Sequence, residues 1–218
     1  MSEGLDLERG TQGKAVAMER LRQAVQKGDV APGQRLVEAE LVEQFGVTRG
    51  SVRAAIDELI AEGMIERIHN IGARVRKVSR DEAVEILECR KALEGLIAAK
   101  AAERATPADR KRLRGYAKQL TAAVAEGAPL KYSAANRELH STLAEIAGQT
   151  TATDLIGRLN IQMVRFQFQL SLRPGRPQTS LGEHLAVIKA VLARDGARAE
   201  QAMRDHLDSV IVAVRELD

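Results

Sequence analysis

The chain has 218 residues, of which 44% are apolar but only 2% aromatic, so its core must be built from Ala, Leu, Ile and Val, a composition that favours helix over sheet. The apolar runs are too short to span a membrane, the polar N-terminus is unlike a signal peptide, and the single cysteine, Cys89, excludes an internal disulfide. We therefore expect a cytoplasmic protein of one large or two small domains, with no membrane partner.

The net charge of +3 indicates little by itself. The first 78 residues hold 12 basic and 12 acidic residues, so that part of the chain is neutral by count. Any prediction of nucleic-acid binding must therefore depend on where the cations lie along the predicted elements.

The N-terminal third predicts a short tail and a winged helix-turn-helix. Residues 1–10 have no periodicity and are expected to form a flexible tail. Residues 11–78 follow the order helix, helix, turn, helix and β-hairpin, which is typical of a winged helix-turn-helix domain. The predicted helices are 11–27, 37–45 and 49–62, and the predicted strands are 64–68 and 73–78.

The rest of the chain, residues 81–216, predicts an all-helical antiparallel bundle, so the fold class is mainly α. The predicted helices lie near 81–104, 107–126, 130–147, 151–172, 181–194 and 196–215. Pro107 stands at the start of the second of these helices. Ser180 and Glu183 have the spacing of a capping box for the fifth.

The third predicted helix carries the residue types that read DNA. Arg49 and Arg53 lie one turn apart on its outward face, and arginine can donate two hydrogen bonds to guanine or bind a phosphate. Thr48 and Ser51 can bind phosphates beside the helix N-terminus. The tip of the predicted wing adds His69 and Asn70, along with flanking arginines.

Three of the four histidines fall in the helical region, and their spacing predicts a metal site. His184 and His206 each lie 11 residues from Asp195, on opposite sides of a predicted turn, so an antiparallel hairpin places them at equal height. Asn136 precedes His140 by four residues and shares its helix face. Such imidazole-rich sites suit Zn²⁺, Ni²⁺, Cu²⁺ or Fe²⁺, of which we favour zinc or nickel.

Two further features of the helical region are open to more than one interpretation. Arg90 lies near the apolar face of its predicted helix, where it could extend towards solvent, pair with Glu94 or face a ligand. Arg165 lies on a helix that could line the same site or simply be solvated.

The N-terminal motifs resemble the GntR family of bacterial transcription regulators. The residues that carry this resemblance are Pro32-Gly33-Gln34-Arg35-Leu36, Glu38-x-Glu40-Leu41, Phe45-Gly46-Val47-Thr48-Arg49, Val52-Arg53-x-Ala55-Ile56-x-x-Leu59, Glu62-Gly63-Met64-Ile65 and Gly72-x-x-Val75. The resemblance implies a homodimer that binds a palindromic operator in double-stranded DNA, with Arg49 and Arg53 contacting bases and phosphates and the wing glycine Gly72 near the minor groove. Arg35 is a further candidate DNA contact. Gly50-Ser51 departs from the family, which often has a proline there.

The C-terminal motifs are similar to the FCD effector domain of FadR-type members of that family. These motifs are Asn136-x-x-x-His140, Ser180-x-x-Glu183-His184 and Ala202-Met203-x-x-His206. The resemblance implies a divalent metal held by Asn136, His140, His184 and His206, with Asn136 in place of the more common aspartate. It also implies that Arg90 binds the carboxylate of a small organic acid effector and that residues 81–216 contribute to dimerisation.

The function predicted from these features is a ligand-controlled DNA-binding regulator, most simply a repressor, and not an enzyme. Three alternatives are a regulator whose metal is purely structural, an acyl-CoA sensor, and a metal-dependent hydrolase with Glu94 or Glu145 as base. The histidine set argues against the acyl-CoA sensor, because binding acyl-CoA does not require a metal. No motif surrounds either glutamate to support catalysis.

Overall fold

The computed structural model describes residues 10–69 and 71–217, apart from the side chains of residues 26 and 27. The chain divides into two compact units, one containing the residues up to Val78 together with 160–165, and the other containing 79–159 and the residues from 166 onwards. Of the predicted tail, residues 1–9 lie outside the described residues, and Gly10 begins the first helix.

Ten helices and three short strands form over the described part of the chain. The first elements are α1 (Gly10–Lys27), β1 (Arg35–Leu36), α2 (Glu38–Phe45), α3 (Arg49–Ala61), β2 (Ile65–Ile68) and β3 (Gly72–Val75). The later helices are α4 (Arg80–Arg104), α5 (Pro107–Ala125), α6 (Pro129–Ala147), α7 (Thr150–Gln162), α8 (Val164–Leu172), α9 (Arg176–Leu192) and α10 (Gly196–Arg215).

The N-terminal unit is a winged helix-turn-helix, which confirms the predicted fold. Gly46, with a φ of 60°, ends α2, and the Thr48 side chain accepts a hydrogen bond from the Ser51 backbone to cap α3. The apolar faces of the helices meet the inner face of the hairpin in one core that includes Leu21, Leu59 and Ile65. This core fixes α3 with its opposite face towards solvent.

The wing is a three-stranded antiparallel sheet in the order β1-β3-β2. The hairpin between β2 and β3 was predicted, whereas β1 was not, because two residues are too short to show an alternating pattern. In this sheet Arg35 pairs with Arg74, and Leu36 pairs with Ala73.

The C-terminal unit is a helical bundle in which α4 lies along α10, and both pack against α9. Gly95 allows α4 to lie close to α10, because a Cβ at this position would lie 3.2 Å from Glu200 Cγ and 3.3 Å from Arg204 Cγ. The helix α6 packs against α4 and α5, so α4, α6, α9 and α10 surround one interior. None of the described helices is long and apolar enough to cross a membrane.

The predicted helix 151–172 is wrong in its continuity. A turn at Met163 separates α7 from α8, and the Met163 side chain is fully buried there. Neither glycine nor proline marks this break, so the sequence carries no local signal for it. We attribute the break to packing, which overrides helix periodicity where the buried methionine must point inwards.

The predicted start of the next helix is also wrong. Helix α9 begins at Arg176, after Gly175 with a φ of 79°, and Pro177 lies in its first turn. Proline is tolerated there because its missing N–H would have no helical partner. Ser180 is therefore buried inside α9 and does not cap the helix.

The capping box of α5 offers a test of how local signals stabilise the bundle. The Thr106 hydroxyl accepts from the Asp109 N–H at 3.2 Å, and Asp109 Oδ2 accepts from the Thr106 N–H at 3.0 Å. We expect Thr106→Ala to lower the free energy of unfolding by about 1 kcal/mol in urea titrations. Thr121→Ala, at an exposed position towards the C-terminal end of the same helix, is the control and should be neutral or slightly stabilising. Equal losses in both would contradict the capping role.

Candidate DNA interface and metal centre

The outward face of α3 presents the arginines predicted to read DNA. Arg49 and Arg53 both lie in its first two turns, and each side chain is 63% exposed. Both pair with Glu38 at the start of α2, through contacts of 3.6 Å from Arg49 Nε and 2.9 Å from Arg53 Nε. The same end of α3 holds Thr48, which is half-buried. The arrangement places two cations and one carboxylate on a single exposed surface.

The other predicted DNA residues lie in different environments. Ser51 is buried, and its hydroxyl lies 3.0 Å from the Thr48 hydroxyl, so it supports the turn. Gly50 has space for a side chain, because a Cβ there would meet only Thr48 Oγ1 at 4.0 Å. The local structure therefore does not require glycine at this departure from the family pattern.

The wing residues are largely exposed. Arg35 and His69 are exposed, and Gly72 adopts a φ of 113°, which favours glycine. Asn70, also predicted to contact DNA, lies outside the described residues. Acidic residues hold the two other wing arginines, since Arg67 pairs with Asp57 and Arg74 with Glu66.

The three histidines predicted to bind metal meet inside the bundle. His140 comes from α6, His184 from α9 and His206 from α10, and one ring nitrogen of each lies within 4.8 Å of the others. The ring centroids of His184 and His206 are 4.3 Å apart, and the Nε2 atoms of His140 and His184 are 3.3 Å apart. His184 and His206 are buried, and His140 is partly exposed. Three nitrogen donors thus converge on one point.

Each imidazole also uses its Nδ1 atom, on a different partner. The pairs are His140 with Glu94 Oε2 at 2.9 Å, His184 with the Tyr132 hydroxyl at 2.9 Å, and His206 with Glu183 Oε2 at 2.7 Å. Partners of this kind fix the orientation and tautomer of a metal-binding histidine and leave Nε2 for the ion.

The amide of Asn136 supplies a separate indication that the residues fit a metal. Its Oδ1 atom is buried and has no hydrogen-bond partner among the described residues. Burying a polar atom without a hydrogen-bond partner costs free energy. An unpartnered oxygen one helical turn from His140 is therefore what we expect of an oxygen ligand to a metal ion. Three imidazoles and one amide oxygen match the donors that Zn²⁺ or Ni²⁺ accepts.

Burial sets the charge state of this centre. Burial lowers the pKa of His184 well below its ordinary value, and the neighbouring His206 and His140 rings lower it further. Burial also lowers the pKa of His206, although Glu183 acts in the opposite direction. Both rings therefore stay neutral near neutral pH, which is the form whose lone pair binds a metal.

The Arg90–Glu94 pair lies directly behind His140. Glu94 Oε1 accepts from Arg90 Nε at 2.8 Å while Oε2 contacts His140, so both carboxylate oxygens are occupied. Burial alone would raise the pKa of Glu94, but Arg90 and His140 outweigh it and hold the pKa below its ordinary range. Arg165 is exposed at the start of α8 and belongs to the unit that contains the winged domain. The structure thus brings Arg90 and Glu94 to the histidines.

Sequence reasoning missed three residues around the histidines. Tyr132 lies four residues before Asn136, and this helical spacing could have placed it on the same face. Glu183 was interpreted as a cap, although it receives His206 and the Arg176 Nη2 at 3.2 Å. Arg176 also donates to the Ser209 hydroxyl at 2.7 Å, a contact between α9 and α10 that no sequence pattern shows.

Comparison with known proteins identifies both parts of the chain. Residues 14–75 match the model of bacterial regulatory proteins of the gntR family, and residues 85–209 match the FCD domain, which covers more than half of the chain. The chain belongs to the GntR family of regulators with an FCD domain. It is a DNA-binding transcription regulator, as the motifs predicted.

Relatives of known name extend over most of the chain. The chain is 28% identical over 188 residues to the HTH-type transcriptional repressor RspR of Escherichia coli K12, covering 86% of this chain and 82% of the relative. It is 27% identical to the HTH-type transcriptional regulator LutR of Bacillus subtilis, covering 85% of this chain and 94% of that protein.

The solved structure of E. coli McbR/YncC has the same fold, with a TM-score of 0.80 at 20% identity, covering 94% of this chain and 97% of that one. A GntR regulator from Rhodococcus sp. RHA1 has a TM-score of 0.73 at 21% identity, with 96% and 100% coverage. At this level of identity, the likeness establishes the fold alone.

The buried ion pair behind His140 generates a stability prediction. Glu94→Ala leaves the guanidinium of Arg90, whose side chain is only 11% exposed, without its counter-ion. We expect the free energy of unfolding to fall by about 3 kcal/mol, measured by urea titration in the presence of a chelator so that metal binding does not contribute.

The surface pair Glu200–Arg204 provides the matched control, because it has the same spacing on a helix but both side chains are more than a third exposed. Glu200→Ala should change the free energy by less than about 0.5 kcal/mol. Equal small losses in the two variants would contradict a buried, structurally required Arg90–Glu94 pair.

Proposed function

We propose that the chain is a cytoplasmic transcriptional repressor that binds a palindromic operator as a homodimer and releases it when a small carboxylate effector binds at a metal in the FCD domain. The observation that carries the proposal is the convergence of three imidazole nitrogens, together with the unpartnered Asn136 oxygen one helical turn before His140. The name of the relative RspR, a transcriptional repressor, supports the sign of the regulation.

In this proposal His140, His184, His206 and Asn136 hold a zinc or nickel ion. When bound, the ion supplies a Lewis acid that attracts a carboxylate oxygen. All four donors are uncharged when they bind, so the site itself does not repel an anion. Glu94, Tyr132 and Glu183 keep the three rings oriented through Nδ1.

Arg90 provides the second half of the carboxylate site. The Arg90 guanidinium and the His140 ring contact the same side chain, the carboxylate of Glu94. A guanidinium beside a metal-binding cluster favours a small hydroxy acid, sugar acid or dicarboxylate as effector. Arg165 remains a weaker candidate for the same role, since it is exposed on α8.

The proposed DNA contacts come from the winged unit. Arg49 and Arg53 face bases and phosphates, and Thr48 and Arg35 contact phosphate. Ser51, which is buried, supports this end of α3 through its contact with Thr48. The wing contributes His69, Asn70 and Gly72 near the minor groove. The effector can shift the DNA equilibrium only by its difference in affinity for the two arrangements of the dimer.

The geometry offers little support for the alternative hydrolase. Both oxygens of Glu94 are held by Arg90 and His140, and Glu145 pairs with Arg112 at 2.9 Å on the exposed side of α6. Neither carboxylate is placed as a base free to accept a proton from water. The family is one of transcription regulators.

Metal content tests the centre directly. Protein purified without a chelator or a His-tag should contain about one divalent metal ion per chain, as measured by inductively coupled plasma mass spectrometry. His140→Ala and His184→Ala should each lose that metal, because three neutral nitrogen donors become two.

The fourth histidine, His69, provides the control, since it is exposed on the winged unit. His69→Ala should retain the metal of the wild type. A wild-type chain that takes up neither Zn²⁺ nor Ni²⁺ after soaking would overturn the metal centre and leave the DNA-binding assignment intact.

The carboxylate proposal has a separate test. Metal-loaded protein bound to a duplex selected from a random library should release it on addition of citrate, malate, lactate or gluconate, followed by fluorescence anisotropy. Arg90→Ala should weaken the effective acid by about tenfold or more, because a charged hydrogen bond is lost. Arg204→Ala, which removes a half-buried arginine of α10 that pairs with Glu200, should respond as the wild type does. Unchanged release by Arg90→Ala would contradict the role of Arg90.

A further inference from the structure

The carboxylate of Glu38 lies among the arginines that face DNA. It occupies the first position of α2, while Arg49 and Arg53 come from α3, so the contact crosses from the first helix of the motif to the second. Its two oxygens both lie 2.9 Å from Arg53 Nε, and Oε2 lies 3.6 Å from Arg49 Nε. One acidic side chain thus touches both arginines of the recognition surface.

An anion at this position is unexpected on general electrostatic grounds. DNA carries one negative charge for about every 1.7 Å of its axis, so a carboxylate beside the arginines of the recognition helix weakens attraction to any duplex. The position also has a local benefit, because an acidic residue in the first turn of α2 interacts well with the helix dipole. That benefit alone does not explain the hydrogen bonds to Arg53.

The atoms involved indicate what the contact does. Arg53 uses Nε to reach Glu38, and no hydrogen bond from its Nη groups occurs within the residues that the structure describes. A guanidinium held at Nε keeps its outer Nη edge free for the two acceptors of guanine, O6 and N7. A long side chain that is already oriented loses less conformational freedom when it binds.

We propose that Glu38 is a specificity-determining positioning residue, which orients Arg53 and Arg49 for base contacts and lowers affinity for DNA of unrelated sequence. This inference rests on the proposed role of α3 in reading DNA. Glu38 need not touch the duplex to act, since it works through the two arginines. Its removal should therefore strengthen binding to random duplexes while weakening discrimination.

The experiment uses the full-length protein and a duplex enriched from a random library by the wild type. Affinities for this duplex and for a scrambled one are measured at one fixed salt concentration, and their ratio is the specificity. We expect Glu38→Gln to lower this ratio by about tenfold, with the scrambled duplex bound more tightly. Glu38→Asp keeps the charge but shortens the side chain by one methylene, and it should also lower the ratio.

Glu43→Gln is the matched control. Glu43 is exposed on the same helix and makes no hydrogen bond or ion pair within the described ranges, so this variant changes the charge equally without affecting the arginines. It should leave the ratio at the wild-type value. The midpoint temperature of thermal unfolding should be the same for the wild type and the three variants, because Glu38 is at the surface and contributes little to the core.

The outcomes separate the inference from the proposed function. A Glu38→Gln ratio equal to that of Glu43→Gln would overturn the positioning role while operator binding stood. A wild-type ratio in Glu38→Asp would show that charge alone matters, and would likewise overturn it. A wild-type protein that enriches no sequence would instead overturn the proposed operator binding, and this inference with it.

Discussion

Bringing three imidazoles together in one helical interior, two of them buried, imposes a requirement on the side chains around them. Each ring has two nitrogens, and a buried nitrogen without a partner is costly, so the atom facing away from the cluster must be satisfied by a neighbouring helix. Glu94, Tyr132 and Glu183 meet that requirement. The two glutamates then need cations of their own, which Arg90 and Arg176 supply. The polar interior of the bundle follows from that single constraint.

Arginine pairs with glutamate both beside the histidine cluster and on the outward face of α3. The first pair is buried, whereas the second is in contact with solvent. Glu94 and Arg90 are almost entirely buried, so their interaction is little screened and the pair is structurally required. Arg49 and Arg53 are exposed and Glu38 is half-buried, so solvent and salt weaken their contact and a stronger anion can replace it. The first pair holds a fixed geometry, whereas the second is suited to exchange with nucleic acid.

Much of this arrangement could be predicted from sequence, and the failures have physical reasons. Equal distance of His184 and His206 from Asp195 was enough to bring them together, because a helical hairpin converts sequence spacing into height. The turn at Met163 and the role of Glu183 could not be predicted, since both depend on which residues other helices bring near. The Glu38 contact was missed for the same reason, as Arg53 follows Glu38 by 15 positions, across a turn whose geometry no local pattern specifies.

Because Gly95 has no side chain, position 95 affects the spacing of the two helices that carry much of the polar interior of the bundle. It allows α4, which carries Arg90 and Glu94, to approach α10, which carries His206, with Glu200 and Arg204 lying across the gap. A methyl group there would force those two side chains to yield by a few tenths of an ångström. Position 95 is therefore a place where sequence divergence between related regulators could change the spacing of anion-binding groups, and hence ligand preference, while every polar residue stays the same.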